Sequence, residues 1–210
     1  MGRHRTITRE QVLEAAQAVV LRDGAGRMTL EAVALQAGIS KASVLYDFKT
    51  KQQLISALIE RDICNHQRKI DELAEALGSS TPDAGILARI EAVRSMTDDD
   101  RAVTTSLCAA MTCDAQLRKP LQELFTKTIE DLRTTSESPR GALLAFLAAE
   151  GLAQLEWFGF QAWQEDEREQ LLADICWLSS QVPAPTLLET NKTEPISHKP
   201  KEVPEKLPID

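Results

Sequence analysis

Apolar residues recur every three or four positions along most of the first 181 residues, which is the spacing of one face of an α-helix. No long segment alternates between apolar and polar residues, as a half-buried β-strand would. The pattern therefore predicts an all-α fold with about nine helices. A chain of 210 residues is long enough to bury one good core or two small ones.

Residues 29–48 have the clearest local pattern. Thr29 is placed to cap a short amphipathic helix, Gly38 to end it in a left-handed turn, and Ser40 to cap a second helix. Two short helices across a glycine-containing turn form a helix-turn-helix, whose second helix enters the major groove of DNA. An ordinary helical hairpin in a bundle has the same spacing, so the pattern alone leaves both open.

The second helix of this segment would expose side chains that are suited to DNA. Cations, hydroxyls and a phenol can contact phosphates and base edges. The predicted DNA-binding residues are Thr29, Ser40, Lys41, Ser43, Tyr46, Lys49 and Lys51. We expect Lys41, Ser43 and Tyr46 to face the major groove, and Thr29, Lys49 and Lys51 to position the protein on phosphates. Arg3 and Arg5 form a basic arm that can approach a minor groove or phosphates, or that has no such role.

The longest helical pattern begins near residue 50 and continues almost to Gly78, which is too long for one small domain. It predicts a helix that connects two parts of the chain. Residues 1–51 would hold the helix-turn-helix, and residues 52–181 would hold the connecting helix and a second helical region. Within that region, residues 141–163 are apolar nearly all round, so both faces of that helix should be buried.

Two features of composition refine this organisation. Six of the nine prolines fall within residues 183–208, among charged residues, so residues 182–210 are predicted to be a disordered tail. The net charge is −8 at pH 7, yet residues 1–51 hold 8 Lys and Arg against 5 Asp and Glu, a net of +3 that leaves −11 for the rest. A basic excess at the end with the helix-turn-helix suits a two-part DNA-binding regulator.

Several classes of protein lack support in the sequence. No apolar run reaches the length of a membrane span and no signal-peptide pattern opens the chain, which predicts a cytoplasmic protein without membrane contact. The four cysteines and three histidines have no metal-binding spacing, and no glycine-rich phosphate loop or catalytic triad is recognisable. We therefore expect no metal, no cofactor and no catalytic residue.

The first sixty residues resemble the N-terminal domain of the tetracycline-repressor (TetR) family of bacterial transcription regulators. The matching positions, in the family's order and spacing, are Val12, Leu13, Ala15, Ala16, Gly24, Thr29, Val33, Ala34, Gly38, Ile39, Ser40, Lys41, Phe48, Lys51 and Leu54. The chain departs from the family at Leu45, where a tyrosine is usual, and at Asp47, where a related subset has histidine. Asp47 weakens any statement about base preference, because a carboxylate beside phosphates is repulsive.

The resemblance implies an assembly and a mode of control. In the family, the last two helices of each subunit pair across a two-fold axis, so the chain is expected to be a homodimer on a palindromic operator in double-stranded DNA. A small molecule that binds in the second region would release this repressor from DNA. Repression rather than activation is inherited from the family.

A helical bundle of this kind can enclose an apolar cavity with a few polar groups. The candidate ligand-binding residues are Met96, Met111, Phe125, Glu150, Gln154 and Trp157. A carboxylate in an apolar helix must find a partner or lose its charge. An ion pair within the protein or a position on the rim is the first expectation for Glu150, and a small apolar ligand that is cationic is the alternative.

Two other functions stay open on the sequence. One is a DNA-binding regulator controlled by a partner protein, which a fully packed second region would favour. The other is a helical adaptor or enzyme that only resembles a DNA-binding protein.

Overall fold

The computed structural model describes residues 7–78 and 80–183. Within these ranges the chain forms nine α-helices, a short 3₁₀ helix at Ala115–Arg118 and no β-strand. The α-helices are α1 (Arg9–Asp23), α2 (Leu30–Gln36), α3 (Lys41–Asp47), α4 (Lys51–Leu77), α5 (Ala84–Arg94), α6 (Asp98–Cys113), α7 (Lys119–Thr135), α8 (Pro139–Trp157) and α9 (Glu165–Ser179). The predicted all-α fold is confirmed.

Parts of the sequence predictions lie outside the described residues. These are the basic arm with Arg3 and Arg5, and the predicted tail from residue 184 onward. None of the described helices combines the length and the apolar surface that a membrane span requires.

Side-chain caps fix where the first four helices begin, and the predicted caps at Thr29 and Ser40 are confirmed. The hydroxyls of Thr8, Thr29, Ser40 and Thr50 each accept a hydrogen bond from a backbone amide in the first turn that follows. These amides have no partner within the helix, so each cap satisfies a donor that would otherwise be lost. Gly38 has a φ of 67°, the left-handed conformation that the turn between α2 and α3 requires.

The first hydrophobic cluster contains α1 to α3, the N-terminal part of α4, α6 and the 3₁₀ helix that follows it. Buried residues from the helix-turn-helix, such as Val33 and Val44, pack with Leu54 of α4 and with Val103 and Leu107 of α6. This cluster extends past residue 51, because α4 and α6 complete the core beneath α1. The division into domains at residue 51 stays a prediction.

A second cluster lies in the rest of the helical region. It is built from α5, α7, α8 and α9, with Ile90, Phe146 and Leu172 among its buried residues. Ile70 of α4 packs with Ala88 and Ala92 of α5 in a small third cluster. Helix α4 therefore contributes to the cores on both sides of the molecule.

Helix α8 is shorter than predicted, and burial of its second face against another subunit stays a prediction. It ends at Trp157 rather than Trp163, because the chain turns at Gly159, with a φ of 65°, and the amide of Phe160 donates to the carbonyl of Leu155 at 2.9 Å. Only one of its faces is buried in the subunit. The opposite face holds Leu144, Leu147, Gly151 and Leu155, all exposed.

Gly141 provides a test of how closely α8 approaches the end of α9. A Cβ added there would lie 2.7 Å from the carbonyl oxygen of Ser179 and 2.9 Å from that of Leu178, and closer still to that of Gln181. Backbone carbonyls cannot rotate away as a long side chain can. We expect Gly141→Ala to lower the free energy of unfolding by about 1–3 kcal/mol, measured by urea denaturation.

Gly85→Ala is the matched control, since Gly85 lies in α5 with no atom within 4 Å of an added Cβ. This substitution should stabilise the protein slightly, by at most about 1 kcal/mol. Equal stabilities of the two variants would contradict the close approach of α8 to α9.

Candidate functional site

Helix α3 has one buried face and one exposed face. Val44 and Phe48 are fully buried beneath it, whereas Tyr46 is 73% exposed. Lys41 is also exposed, and Ser43 is half-buried. The three predicted major-groove residues thus lie on the side of α3 that is turned away from the core.

The predicted phosphate-binding residues surround α3, but two of them also hold the fold. Thr29 caps α2, and the ammonium of Lys51 donates to the carbonyl of Gly26 at 2.5 Å. This hydrogen bond attaches the loop after α1 to the start of α4. The ammonium of Lys49 lies 5.8 Å from the ring centroid of Tyr46, within cation–π range. The geometry brings Lys49 and Tyr46 together on the exposed side and gives Lys51 a structural partner. Ser40 caps α3, and its hydroxyl lies 2.9 Å from that of Ser43.

Lys41 forms an ion pair with Glu31 of α2. The hydrogen bond from Lys41 lowers the pKa of the Glu31 carboxyl. A DNA phosphate must therefore compete with Glu31 for this ammonium. The sequence did not indicate this pair, because residues 31 and 41 lie on different helices.

Arg9 is a second feature that sequence reasoning missed. Its guanidinium lies 4.9 Å from the ring centroid of Phe48, at the end of α3. The position of Arg9 at the start of α1 gave no sign of this contact, which depends on how α1 packs across the motif.

A cavity of about 410 Å³ lies between α4, α5, α6, α7 and α8. It reaches α1 at Gln17 and Val20. This volume is in the usual range for small-molecule sites. All six candidate ligand-binding residues, Met96, Met111, Phe125, Glu150, Gln154 and Trp157, line this one cavity. Their role in binding a ligand stays a prediction.

Aromatic and sulfur side chains form much of the cavity's apolar wall. The ring of Phe125 meets that of Phe146 edge-on, with centroids 6.0 Å apart. The indole nitrogen of Trp157 donates to the sulfur of Met96 at 3.1 Å. These contacts hold two of the large side chains in place, so the cavity is bounded by packed rather than loose groups.

Two carboxyl groups on the cavity wall, those of Asp62 and Glu150, have raised pKa values. Burial, with a smaller effect of the Asp100 charge, raises the pKa of Asp62 to about 6. Burial also raises the pKa of Glu150, and the Arg89 charge opposes this shift. Among the described residues, neither side chain makes a hydrogen bond or an ion pair within 4.0 Å. The ion pair expected for Glu150 is not found.

Glu156, one turn and a half further along α8, shows the contrast. Its carboxylate accepts a hydrogen bond of 2.6 Å from Arg168, which is itself buried and also donates to the carbonyl of Val93 at 3.0 Å. A buried carboxylate that is paired in this way has a structural role. Glu150 lacks such a partner.

The basic groups on the cavity wall already have acceptors in the protein. Arg61 donates to Glu10 at 3.0 Å and to Gln17, both on α1. Lys69 donates to the carbonyl of Ser95 at 3.3 Å, and Arg89 approaches the Gln67 amide oxygen at 3.5 Å. Burial, Arg89 and Lys69 lower the pKa of His66.

Sequence reasoning did not find Asp62, His66 or the basic wall residues. Asp62 and His66 are four positions apart on α4, so they share a helix face. A short polar row within an otherwise apolar helical pattern was the available signal. Among the described residues, no group of His, Cys, Asp and Glu is arranged to hold a metal ion.

A helix-turn-helix with an exposed second helix, joined to a separate helical region with a cavity, defines a two-part DNA-binding transcription regulator. Two family models match the chain: "Bacterial regulatory proteins, tetR family" at residues 12–58, and "Tetracyclin repressor-like, C-terminal domain" at residues 73–179. The chain belongs to the TetR family. Members of this family are DNA-binding transcription factors and not enzymes, so the enzyme alternative is excluded.

Solved structures show the same fold. SCO7518 from Streptomyces coelicolor A3(2), described as a candidate transcriptional regulator, is 21% identical, with a TM-score of 0.66 over 82% of this chain and 98% of that one. A candidate transcriptional regulator from Saccharomonospora viridis in complex with choline is 17% identical, with a TM-score of 0.64 over 80% and 95%. The multidrug-binding protein EbrR, complexed with ethidium, is 18% identical, with a TM-score of 0.60 over 82% and 99%. A comparison with curated proteins gave no match.

The raised pKa of Asp62 predicts a stability that depends on pH. In the folded protein its pKa is about 6, against an ordinary value of 3.8, so the fold favours the protonated form. The stability that the protonated Asp62 carboxyl contributes is complete below the ordinary pKa of 3.8 and is lost as pH rises through about 6. At neutral pH the ionised carboxylate destabilises the fold by at most about 3 kcal/mol.

We therefore expect Asp62→Asn to raise the free energy of unfolding at pH 7.5, and this gain should shrink towards zero near pH 4. Urea denaturation across that range measures it. Asp99→Asn, on the exposed first turn of α6, is the control and should show no such pH-dependent gain. A gain for Asp62→Asn that is constant with pH would contradict the burial of an ionised group.

Proposed function

We propose that this chain is a homodimeric repressor that binds a palindromic operator and leaves it when a small ligand binds in the cavity. One observation carries the proposal, namely the contact between the cavity and α1. The cavity that lies among five helices of the second region also touches α1, which packs directly on the helix-turn-helix.

The DNA contacts follow from the exposed face of α3. Lys41, Ser43 and Tyr46 enter the major groove, while Thr29 and Lys49 contact phosphates on either side. In a two-fold symmetric dimer, the two α3 helices meet half-sites that are roughly 34–36 Å apart, or a multiple of this spacing. Lys51 adds positive charge beside the motif, with its ammonium held near Gly26. A cytoplasmic location is part of the same proposal, since the operator lies there.

The dimer forms through the exposed face of α8. Leu144, Leu147 and Leu155 surround Gly151 on this face, and Trp177 of α9 is 64% exposed. A large apolar patch left in water is typical of an interface between subunits. Gly151 has no side chain, so a second copy of α8 can approach closely at the centre of the patch.

Ligand control passes through α4 and Arg61. Arg61 lines the cavity and donates to Glu10 and Gln17 of α1, and its side chain is only 13% exposed. A ligand that moves Arg61 or tilts α4 therefore shifts α1 and the helices that pack on it. The coupling free energy cannot exceed the ligand's preference between the two states, typically about 1–3 kcal/mol.

The cavity also bears on the alternative of control by a partner protein. That alternative is favoured by a fully packed second region, and a void of about 410 Å³ supports a small ligand instead. The apolar wall suits an apolar ligand. A cationic one is the first choice for testing, since two proteins of this fold were solved with choline and with ethidium.

DNA binding is tested by fluorescence anisotropy on DNA from upstream of the chain's own gene, against scrambled DNA, at several salt concentrations. Wild type should prefer the native fragment and bind it more weakly as salt rises. Tyr46→Ala should weaken this binding about tenfold or more, and Lys41→Ala should also reduce the salt slope by about one.

Lys127→Ala is the control for charge, because Lys127 is exposed on α7, far along the chain from the motif. It should leave binding unchanged. No binding by wild type to either DNA at low salt, or equal binding by Lys41→Ala and wild type, would contradict the proposed contacts.

The dimer is tested by light scattering after size-exclusion chromatography. Leu147→Glu places a charge in the proposed interface, so it should convert a dimer into a monomer and weaken operator binding with it. Leu77→Glu changes another exposed leucine, at the end of α4, and should remain a dimer. A wild-type protein that is monomeric at micromolar concentration would overturn the homodimer.

A further inference from the structure

The cavity holds two carboxylates that the protein leaves without a partner. Asp62 projects from α4 and Glu150 from α8, so they belong to different walls. The charges of both carboxylates add to burial in raising the pKa of the Cys108 thiol on α6, which also lines the cavity. Both carboxylates therefore border the same cavity.

The basic groups nearby form no ion pair with them. Arg61 and Lys69 donate to acceptors on α1 and at Ser95, although the Arg61 charge still lowers the pKa of Asp62. Arg89 lies close enough to influence Glu150 but forms no ion pair with it within 4.0 Å. Both side chains are half-buried, and a carboxylate that is partly removed from water without a partner favours a cation that comes from outside.

The rest of the wall suits an organic rather than a hydrated metal cation. Phe125 and Trp157 provide ring faces or edges, and Met96, Val103 and Leu107 provide apolar contacts. Aromatic rings attract cations that have lost their water, and apolar side chains attract the groups attached to the charge. A neutral ligand that covers the two carboxylates would remove them from water without a partner, and an anion brings no charge that could pair with them.

We propose that the cavity binds an organic cation, with its charge near Asp62 and Glu150 and its apolar part against Phe125 and Trp157. This deepens the proposed function by naming the chemical class of the ligand, and it rests on that function only for the consequence of binding. The binding itself is a property of the cavity and is measured without DNA.

A dependence on pH follows from the groups around Asp62. The charged and titratable groups on the cavity wall are Arg61, His66 and Lys69 on α4, Arg89 on α5, Asp100 and Cys108 on α6, and Glu150 on α8. Of these, Asp100 and Arg61 act on the pKa of Asp62. Protonation of Asp62 removes the charge that attracts the cation, so affinity falls as pH drops through about 6. From pH 7.5 to 5 the loss due to Asp62 is about tenfold. Protonation of His66 adds a positive charge and acts in the same direction.

The probe is benzyltrimethylammonium, whose charge is permanent and whose ring is apolar. Its neutral isostere, 2,2-dimethylpropylbenzene, and the anion benzenesulfonate are the comparison compounds. Binding to the full chain is followed by tryptophan fluorescence, since Trp157 lines the cavity. We expect the cation to bind at least about tenfold more tightly than the isostere at pH 7.5, and the anion to bind least.

Asp62→Asn and Glu150→Gln should each weaken cation binding about tenfold while leaving binding of the isostere nearly unchanged. The Asp62→Asn variant should also lack the about tenfold fall in cation affinity between pH 7.5 and 5 that is due to Asp62. The exposed controls Asp99→Asn and Glu123→Gln should bind as wild type does. Circular dichroism checks that each variant is folded.

The proposal is overturned by an isostere that binds as tightly as the cation, by the absence of cation binding, or by variants that bind the cation as wild type does. Failure of the proposed function looks different. If the chain binds the cation through Asp62 and Glu150 but never binds DNA, the proposed cation site is supported and the proposed repressor function is wrong.

Discussion

The connection made by α4 is the constraint on which the rest of the structure depends. One continuous helix of 27 residues supplies Leu54 and Leu58 to the core of the helix-turn-helix and Ile70 to the packing against α5. Helix α6 adds Val103 and Leu107 beneath α1, so the two parts of the chain meet along a packed surface rather than a flexible linker. A change in the tilt of α4 must therefore alter both cores.

The cavity lies at this junction, and the arrangement of its charges reflects a compromise between stability and binding. Glu156 and Arg168 show that the fold can pair a buried carboxylate when it serves only the structure. Asp62 and Glu150 form no ion pair, and they line the same cavity as Arg61, which connects the cavity wall to α1. An uncompensated charge destabilises the empty protein, and a bound cation would return that free energy as affinity.

The local features of the fold were predictable from the sequence because they depend on neighbouring residues. The caps at Thr8, Thr29, Ser40 and Thr50 and the left-handed turn at Gly38 follow from side-chain chemistry within four positions. Features that depend on distant packing were not predictable. The end of α8 at Trp157, the ion pair between Glu31 and Lys41, and the exposed face around Gly151 are of this kind.

The candidate site residues likewise divide into those that local sequence features predicted and those that depend on distant packing. Aromatic residues, methionines and polar interruptions of an apolar helix identified six residues that line one cavity, since helical spacing places them on inward faces. Asp62 was missed because an isolated carboxylate on a long helix is usually solvated. Only the packing of α5, α6 and α7 around α4 shows that it is half-buried.

Selection of bound sequences from a random DNA library tests the central claim most directly. If two α3 helices are held at a fixed distance by a rigid α4 and a symmetric α8 interface, wild type should enrich an inverted repeat with a single spacing between its half-sites. Enrichment of isolated half-sites, or of repeats at many different spacings, would show that the recognition helices are not rigidly connected and would contradict the account.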